Sequence, residues 1–350
     1  MSRSGISPRA KRVMLIVLSV VLAAILIALI AGTAYMERML GLINKNPDDS
    51  TVSREEFEQL QKDQLATEET GFTGETVDPN DVNLNLNEKP VETQEHIVNI
   101  MLIGQDRRPG EGRQRSDVMI LCTVNKKTKE LTLTSFMRDL YVRIPGYGGD
   151  KMNAAYSYGG MKLLGKTMQD NFGIKVDGQV EVDFNGFKDV IDLMGGVDIY
   201  LGRTEANYMI AHGYDVFNGT NRLYGDAALF YARNRSIGNG DFTRTERQRK
   251  VINALFEKCR GMSLSQLQNL MEKVLPMITT DLTNRQILDY LTDLVPMLGD
   301  MQVNTNRIPA DGTYADKYII GVGSVLIPDL EANRAILNEI MTRTVRPAKD

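Results

Sequence analysis

Residues 97–124 read IVNIMLIGQDRRPGEGRQRSDVMILCTV, and this stretch decides the fold. Ile97 to Gly104 and Val118 to Val124 are short apolar runs separated by a polar loop that contains glycine and proline, which is the pattern of two strands joined by a connection. Leu131 to Phe136 repeats the pattern, and Val180 to Phe184, Val197 to Leu201 and Met301 to Ile308 read as further strands. Between and after them, Gly160 to Asn171, Gly186 to Met194, Tyr224 to Arg233, Thr243 to Arg260, Leu264 to Leu275, Arg285 to Leu298 and Asp329 to Thr344 have helical spacing or length. Interleaved strands and helices predict an α/β domain with a mixed sheet covered by helices.

Towards the N-terminus the character changes twice. Residues 37–96 are acidic and rich in Asn and Thr. Up to residue 95 they hold 15 acidic against 5 basic side chains, a composition that buries too little apolar surface to offset chain entropy. We read them as an extracytoplasmic stalk, made semi-rigid by a short helix that Ser53 and Glu56 would cap through about Glu69. Residues 13–36 carry no charge and are long enough to cross the ~30 Å hydrocarbon core, for which a helix needs ~20 residues. Arg3, Arg9, Lys11 and Arg12 in the tail 1–12 place that end in the cytoplasm and everything downstream outside. A cleaved signal peptide is the alternative, with Gly32-Thr33-Ala34 as its site, but a signal's apolar region is only ~7–15 residues. The net charge of −4 therefore conceals opposed zones, and the remaining domain, 97–350, is slightly basic at roughly +2.

Several chemistries are set aside at once. His96 and His212 are the only histidines, in neither a metal-ligand nor a triad-like setting, so histidine-based hydrolysis is excluded. Cys122 and Cys259 give no disulfide framework or zinc pattern and read as small buried hydrophobes. Gly160 to Thr167 satisfies the P-loop pattern, yet no buried strand precedes it and Met161 to Leu164 reads as helix, so nucleotide binding is rejected. Nucleic-acid binding has little support, because the slight net basicity is gathered in clusters rather than along a face.

Three clusters of charge remain, each at a strand or helix end. In the first, Asp106 and Asp117 would lie at adjacent strand ends, with Arg107, Arg108, Arg113, Arg115 and Ser116 between them. Two such carboxylates, with water and phosphate oxygens, suit Mg²⁺, although a solvated loop of Asp-Arg pairs has the same spacing. The second runs from Ser135 through Arg138 and Asp139 to Lys151-Met152-Asn153. Its arginine fork and lysine point charge suit phosphate oxygens, and equally an ordinary charged surface. The third is the densest: Tyr231 to Arg235, then Asp241 to Gln248. Thr243 and Glu246 form a capping-box pattern that makes Arg244 the first helical residue, with Arg247 and Gln248 on its side of the helix. Cations there oppose the macrodipole unless an anion sits among them.

Taken in order, Asn99 to Asp106, Arg115-Ser116-Asp117, Ser135 to Asp139, Ile144-Pro145-Gly146, Lys151 to Tyr156, Val182-Asp183-Phe184, Gly195-Gly196-Val197, Tyr231-Ala232-Arg233 and Asp241 to Gln248 resemble the successive signatures of the LytR-CpsA-Psr family. The resemblance is strong over residues 97–260, includes the N-terminal anchor and fades thereafter. Met137 stands where the family often has proline, Gln105 where it often has a small residue and Tyr224 where it often has asparagine; no charged position is lost. The resemblance implies an α/β/α sandwich behind a transmembrane helix, with a polyprenyl chain in an apolar tunnel and its pyrophosphate at an arginine-lined mouth. It implies Asp106 and Asp117 as ligands of Mg²⁺ (or Mn²⁺). Arg115, Arg138, Lys151, Arg233, Arg235, Arg244 and Gln248 are then pyrophosphate-binding, and Arg138, Arg244 and Asp241 catalytic, Asp241 taking the proton of the attacking sugar hydroxyl.

The implied activity is transfer of a glycopolymer, teichoic acid or capsule, from a polyprenyl-pyrophosphate carrier to peptidoglycan at the outer face of the cell membrane. Polyprenyl phosphate would be released. A polyprenyl-pyrophosphate hydrolase using the same residues, and a non-catalytic polyprenyl-phosphate-binding regulator, are the competing readings.

Overall fold

The two strands of the opening stretch form an antiparallel pair in the computed structural model, which describes residues 35–45, 47–67, 74–84, 94–107 and 112–345. In chain order the N-terminal part contributes α1 (Arg54–Thr67), β1 (Thr76–Val77), β2 (Ile97–Gln105), β3 (Ser116–Asn125), β4 (Glu130–Phe136), β5 (Tyr141–Ile144), β6 (Gly148–Lys151) and α2 (Met152–Phe172). Then come β7 (Gly178–Asp183), α3 (Phe184–Leu193), β8 (Val197–Leu201), α4 (Arg203–Ala211), β9 (Gly219–Leu223), α5 (Gly225–Arg233) and α6 (Gly240–Arg260). The last part holds α7 (Leu264–Val274), β10 (Thr279–Thr280), α8 (Asn284–Leu294), β11 (Gln302–Ile308), β12 (Tyr314–Ile319), β13 (Gly323–Pro328) and α9 (Leu330–Thr342).

Six strands form the central sheet in the order β10-β7-β2-β3-β4-β11. β2 is antiparallel to β3 and parallel to β7, β3 is antiparallel to β4, and β11 runs parallel to β4. The sheet is thus mixed, and period-two alternation sends its side chains to opposite layers. Met101, Ile103, Met119, Leu121 and Phe136 meet Met161, Leu164 and Phe172 of α2 and Leu337 of α9. On the other face Val98, Ile120, Val124, Leu131 and Leu133 meet Ile252 and Phe256 of α6 and Tyr290 and Leu294 of α8. Helices cover both faces, as the alternating pattern requires, and at this level the expected α/β/α arrangement is present. A satellite core gathers Ile191, Val197, Leu201, Met209, Leu223 and Tyr231 around the β8–β9 hairpin. β8 matches the strand expected over Val197 to Leu201, whereas β9, the β5–β6 hairpin, α4 and the β12–β13 pair had no clear signal in the sequence.

The predicted transmembrane helix and basic tail fall on residues outside those described, except for Tyr35 and Met36. Among the described residues no helix is long and apolar enough to cross a membrane.

The stretch read as a stalk is a correction where it is described, because much of it packs onto the domain. Met39 and Leu40 are buried, and Asn44 bridges to Thr279 beside the sheet edge. α1 starts with the expected box, Glu56 N donating to Ser53 Oγ at 3.2 Å and Ser53 N to Glu56 Oε2 at 2.8 Å. Phe57 then sets its ring 5.0 Å from that of Tyr158. Further on, β1 adds to β12. The docking depends on a break in α2: Gly160 has φ +62°, and a side chain there would collide with the backbone of Asp48. Asp49 caps the helix where it restarts, accepting from Lys162 N at 3.0 Å. A few apolar residues and one receptive glycine thus override the acidic composition. Gly160 to Thr167, the rejected P-loop, lies wholly within α2.

Candidate active site

Strand ends of the sheet and the start of α6 converge at one place. Asp117 is the second residue of β3, Arg138 and Asp139 follow β4, Lys151 ends β6, Arg235 lies between α5 and α6, and Asp241 and Arg244 stand in the first turns of α6. Their ion pairs form a continuous chain. Asp241 Oδ2 accepts from Arg138 Nε at 2.9 Å and is ion-paired with Arg244 Nη2 at 3.1 Å, while Oδ1 is ion-paired with Arg235 Nε at 3.0 Å. Arg138 also reaches Asp139 at 3.2 Å and Asp117 at 3.4 Å. The other oxygen of Asp139 is 3.6 Å from Lys151 Nζ.

The helix start differs from the capping-box reading. α6 begins at Gly240, and Thr243 Oγ1 accepts from Asn239 N at 2.7 Å from inside the first turn. Asp241, not Arg244, therefore sits where the macrodipole favours an anion, and it is this carboxylate that gathers the arginines. Burial by itself would push the Asp241 carboxyl up, but Arg244, Arg138 and Arg235 outweigh it and hold it below the usual carboxylate range. Burial also works against the Arg138 charge, yet Asp139, Asp241 and Asp117 hold it above its ordinary value. Arg244 is pushed down to about 10, chiefly by burial and against the pull of Asp241. Its Nε is buried with no partner among the described residues. The cluster is therefore rich in strained donors, and an incoming oxyanion would relieve both the desolvation and the mutual repulsion of the cations.

Behind this mouth a cavity of about 370 Å³ opens between the sheet and the helices. Leu102, Val118, Ile120, Val180 and Val182 of the sheet form one wall; Phe184, Phe187 and Val190 of α3, Leu229 and Ala232 of α5, and Ile252 and Leu255 of α6 form the other. Asp117, Arg233, Arg235, Arg244 and Gln248 border the same space. An apolar slot with a cationic rim fits a molecule with a hydrocarbon tail and an anionic head.

Other expected residues are placed as follows. Arg233 pairs with Asp106 at 3.1 Å and lies 4.5 Å over the Phe184 ring. Arg115 is hydrogen-bonded to Tyr158, whose hydroxyl donates to Asp150 at 2.5 Å. Arg113 is a structural fastener, 3.2 Å from Asp48 and donating to the Ser50 and Ser157 carbonyls. Arg247 was expected beside Arg244 but points elsewhere: it pairs with Glu205 at 2.9 Å and stacks on Tyr231. Gln248 alone of the two joins the cavity. Asp139, a hub between Arg138 and Lys151, had no role in the sequence reading. Cys122 and Cys259 are half-buried free thiols, and burial pushes Cys122 up to about 12, which leaves it inert.

Gln105 stands opposite Ser116 across β2 and β3, so Asp106 and Asp117 occupy the same end of the pair. Among the described residues no three of His, Cys, Asp and Glu converge on one point. The donor set cannot cage an ion alone, but it suits Mg²⁺, which keeps waters and takes substrate phosphate oxygens alongside one or two carboxylates.

The LytR_cpsA_psr family model matches residues 58–338. A polyisoprenyl-teichoic acid–peptidoglycan teichoic acid transferase, TagU, of Bacillus mycoides is 32% identical over 246 residues, covering 69% of this chain and 77% of that protein. TagU of Enterococcus faecalis is 38% identical over 183 residues, 51% of this chain and 58% of its own. Among solved structures, TagT bound to LIIa-WTA superposes with a TM-score of 0.59 at 25% identity, covering 75% of this chain and 99% of that one. The family protein YwtF (TagT) with bound octaprenyl pyrophosphate lipid gives 0.55 at 25% identity, covering 75% and 100%.

Proposed function

Because the chain belongs to the LytR-CpsA-Psr family, we propose that it is a phosphotransferase that moves a teichoic-acid-class glycopolymer from a polyprenyl-pyrophosphate carrier onto peptidoglycan. The observation that carries this reading is the junction of an apolar cavity with the cation chain centred on Asp241. The polyprenyl tail occupies the slot between sheet and helices, and its pyrophosphate lies among Arg138, Arg235 and Arg244, with Arg115, Lys151, Arg233 and Gln248 around them. Residues 13–36 anchor the chain, and the domain works at the outer face of the membrane.

In the reaction the acceptor sugar hydroxyl attacks the phosphorus that carries the glycan. The bond from that phosphorus to the bridging oxygen breaks, polyprenyl phosphate leaves, and a phosphodiester to the wall forms. Negative charge spreads over the phosphate oxygens, and fixed arginines stabilise it without reorganisation. Once those oxygens take over the arginine donors, the pull that keeps Asp241 acidic relaxes, and its carboxylate accepts the hydroxyl proton. When bound by Asp106 and Asp117, Mg²⁺ (or Mn²⁺) supplies further positive charge to the phosphate oxygens.

The test is mass spectrometry of lipid co-purified with the full chain, beside Arg244→Ala, followed by transfer assays with and without a chelator. A polyprenyl phosphate or pyrophosphate present in the wild type and lost in the variant supports the site. Release of polymer into water without attachment to wall fragments would replace the transferase reading by the hydrolase one.

A further inference from the structure

α6 carries a second arginine that the Asp241 cluster does not use. Arg249 is 8% exposed, and its Nε and Nη1 find no partner among the described residues. It precedes Ile252 by three residues and Phe256 by seven, so it lies on the stripe of α6 that packs against the β3–β4 face. At the end of that face stand Ser135 and Arg307, directly opposite each other on β4 and β11, where paired residues present their side chains on one side. Ser135 Oγ is also buried and unbonded.

Arg307 lies close enough that its charge, after burial itself, pushes Arg249 down to about 10. It is held in place by its Nε donating to the Pro309 carbonyl at 3.0 Å, by an ion pair with Asp311, and by stacking 4.5 Å over the Phe242 ring. Asp311 is 92% exposed on its side chain, which puts this edge just under the surface. The nearest acid to Arg249 on its own helix, Glu246, is paired with Lys250 at 2.8 Å. A buried guanidinium with idle donors, a second cation beside it and an idle hydroxyl across the strand pair leave one positive charge uncompensated, a costly arrangement without an anion.

We propose that Arg249, Arg307 and Ser135 form a second oxyanion site, separate from the Asp241 cluster, which holds a phosphodiester of the polymer chain beyond its pyrophosphate. The polymer assignment rests on the proposed function. It follows from position, because Gln248 of the lipid cavity precedes Arg249 on α6, and Ser135 is three residues from Arg138, so both cation groups flank one mouth. Such a site would select carriers whose glycan is phosphate-linked.

The test uses the full chain in detergent micelles, titrated calorimetrically with three probes: farnesyl pyrophosphate, a soluble glycerol phosphate oligomer and inorganic phosphate. Arg249→Gln and Arg307→Gln should each weaken the oligomer by about tenfold or more, the scale of lost charge-assisted hydrogen bonds, and leave farnesyl pyrophosphate within about twofold. Arg249→Gln removes an uncompensated buried cation, so its melting temperature should hold or rise, and Arg307→Gln is the independent variant nearer the surface. Unchanged oligomer affinity in both variants overturns the proposal, as does an equal loss for oligomer and farnesyl pyrophosphate. If inorganic phosphate binds as tightly as the oligomer and with the same dependence on Arg249, the polymer assignment fails. Wild-type protein that binds no farnesyl pyrophosphate defeats the proposed function instead, and the two failures are thereby distinguished.

Discussion

Replacing Asp241 by Asn removes the charge around which the mouth is built and keeps its shape. The cost is set by what each arginine has left. Arg138 retains Asp139 and Asp117, and Arg235, with 44% of its side chain exposed, returns to water. Arg244, with only 4% exposed, has neither recourse. The loss is therefore that of one buried pair, at the lower end of the usual range, about 3 kcal/mol. For a domain of this size that corresponds to a fall of roughly 6–12 °C in melting temperature, measurable by calorimetry on the lipid-free protein.

Binding should respond in the opposite sense. The arginines no longer have a carboxylate to satisfy, so affinity for farnesyl pyrophosphate should hold or rise, while transfer to wall fragments should fall by about 100-fold or more with the proton acceptor gone. A melting temperature within about 2 °C of wild type, together with undiminished transfer, would refute the view that Asp241 organises the cluster.

Three further outcomes follow from the same geometry. The Asp241 carboxyl is held below its ordinary value, so its contribution is complete above about pH 4 and is lost as pH falls through the lower folded value; melting curves below pH 4 should steepen in the wild type and flatten in Asp241→Asn, and parallel curves would contradict the assignment. Leu229→Trp fills the cavity between α5 and the sheet, so co-purified polyprenyl lipid should drop by about tenfold at a stability cost of no more than about 1–3 kcal/mol, and unchanged lipid content would show that the tail lies elsewhere. Arg247→Met leaves Glu205 without its 2.9 Å partner and should cost about 3 kcal/mol in chemical denaturation, most of it recovered in the double variant with Glu205→Met; failure of that recovery would show that the pair is not what holds the α4–α6 contact.

Much of the fold was legible because its signals are local. The apolar runs 97–104, 118–124 and 131–136 became β2, β3 and β4, since alternation and strand length are properties of a few consecutive residues. α5, α7 and α9 likewise fell within a residue or two of their expected bounds. Errors arose where a local pattern competed with packing. Thr243 and Glu246 imitate a cap, but Gly240 and Asp241 extend α6 by one turn. Residues 37–96 have the composition of a spacer, yet Met39, Leu40 and Phe57 find apolar partners that only the folded domain provides.

What the sequence by itself determined was the class of the fold, the main strands and helices of its layers and the kinds of charge at the strand ends, because each follows from residue type and short-range spacing. The tertiary structure alone decided which charge meets which. Arg244 and Arg247 are three residues apart on one helix, yet one faces Asp241 and the other Glu205. That division depends on where α4, α5 and the sheet edge lie around α6, as does the cavity assembled from β2, β3, β7, α3, α5 and α6. Contacts between residues a hundred or more positions apart, such as Arg138 with Asp241, are fixed by packing.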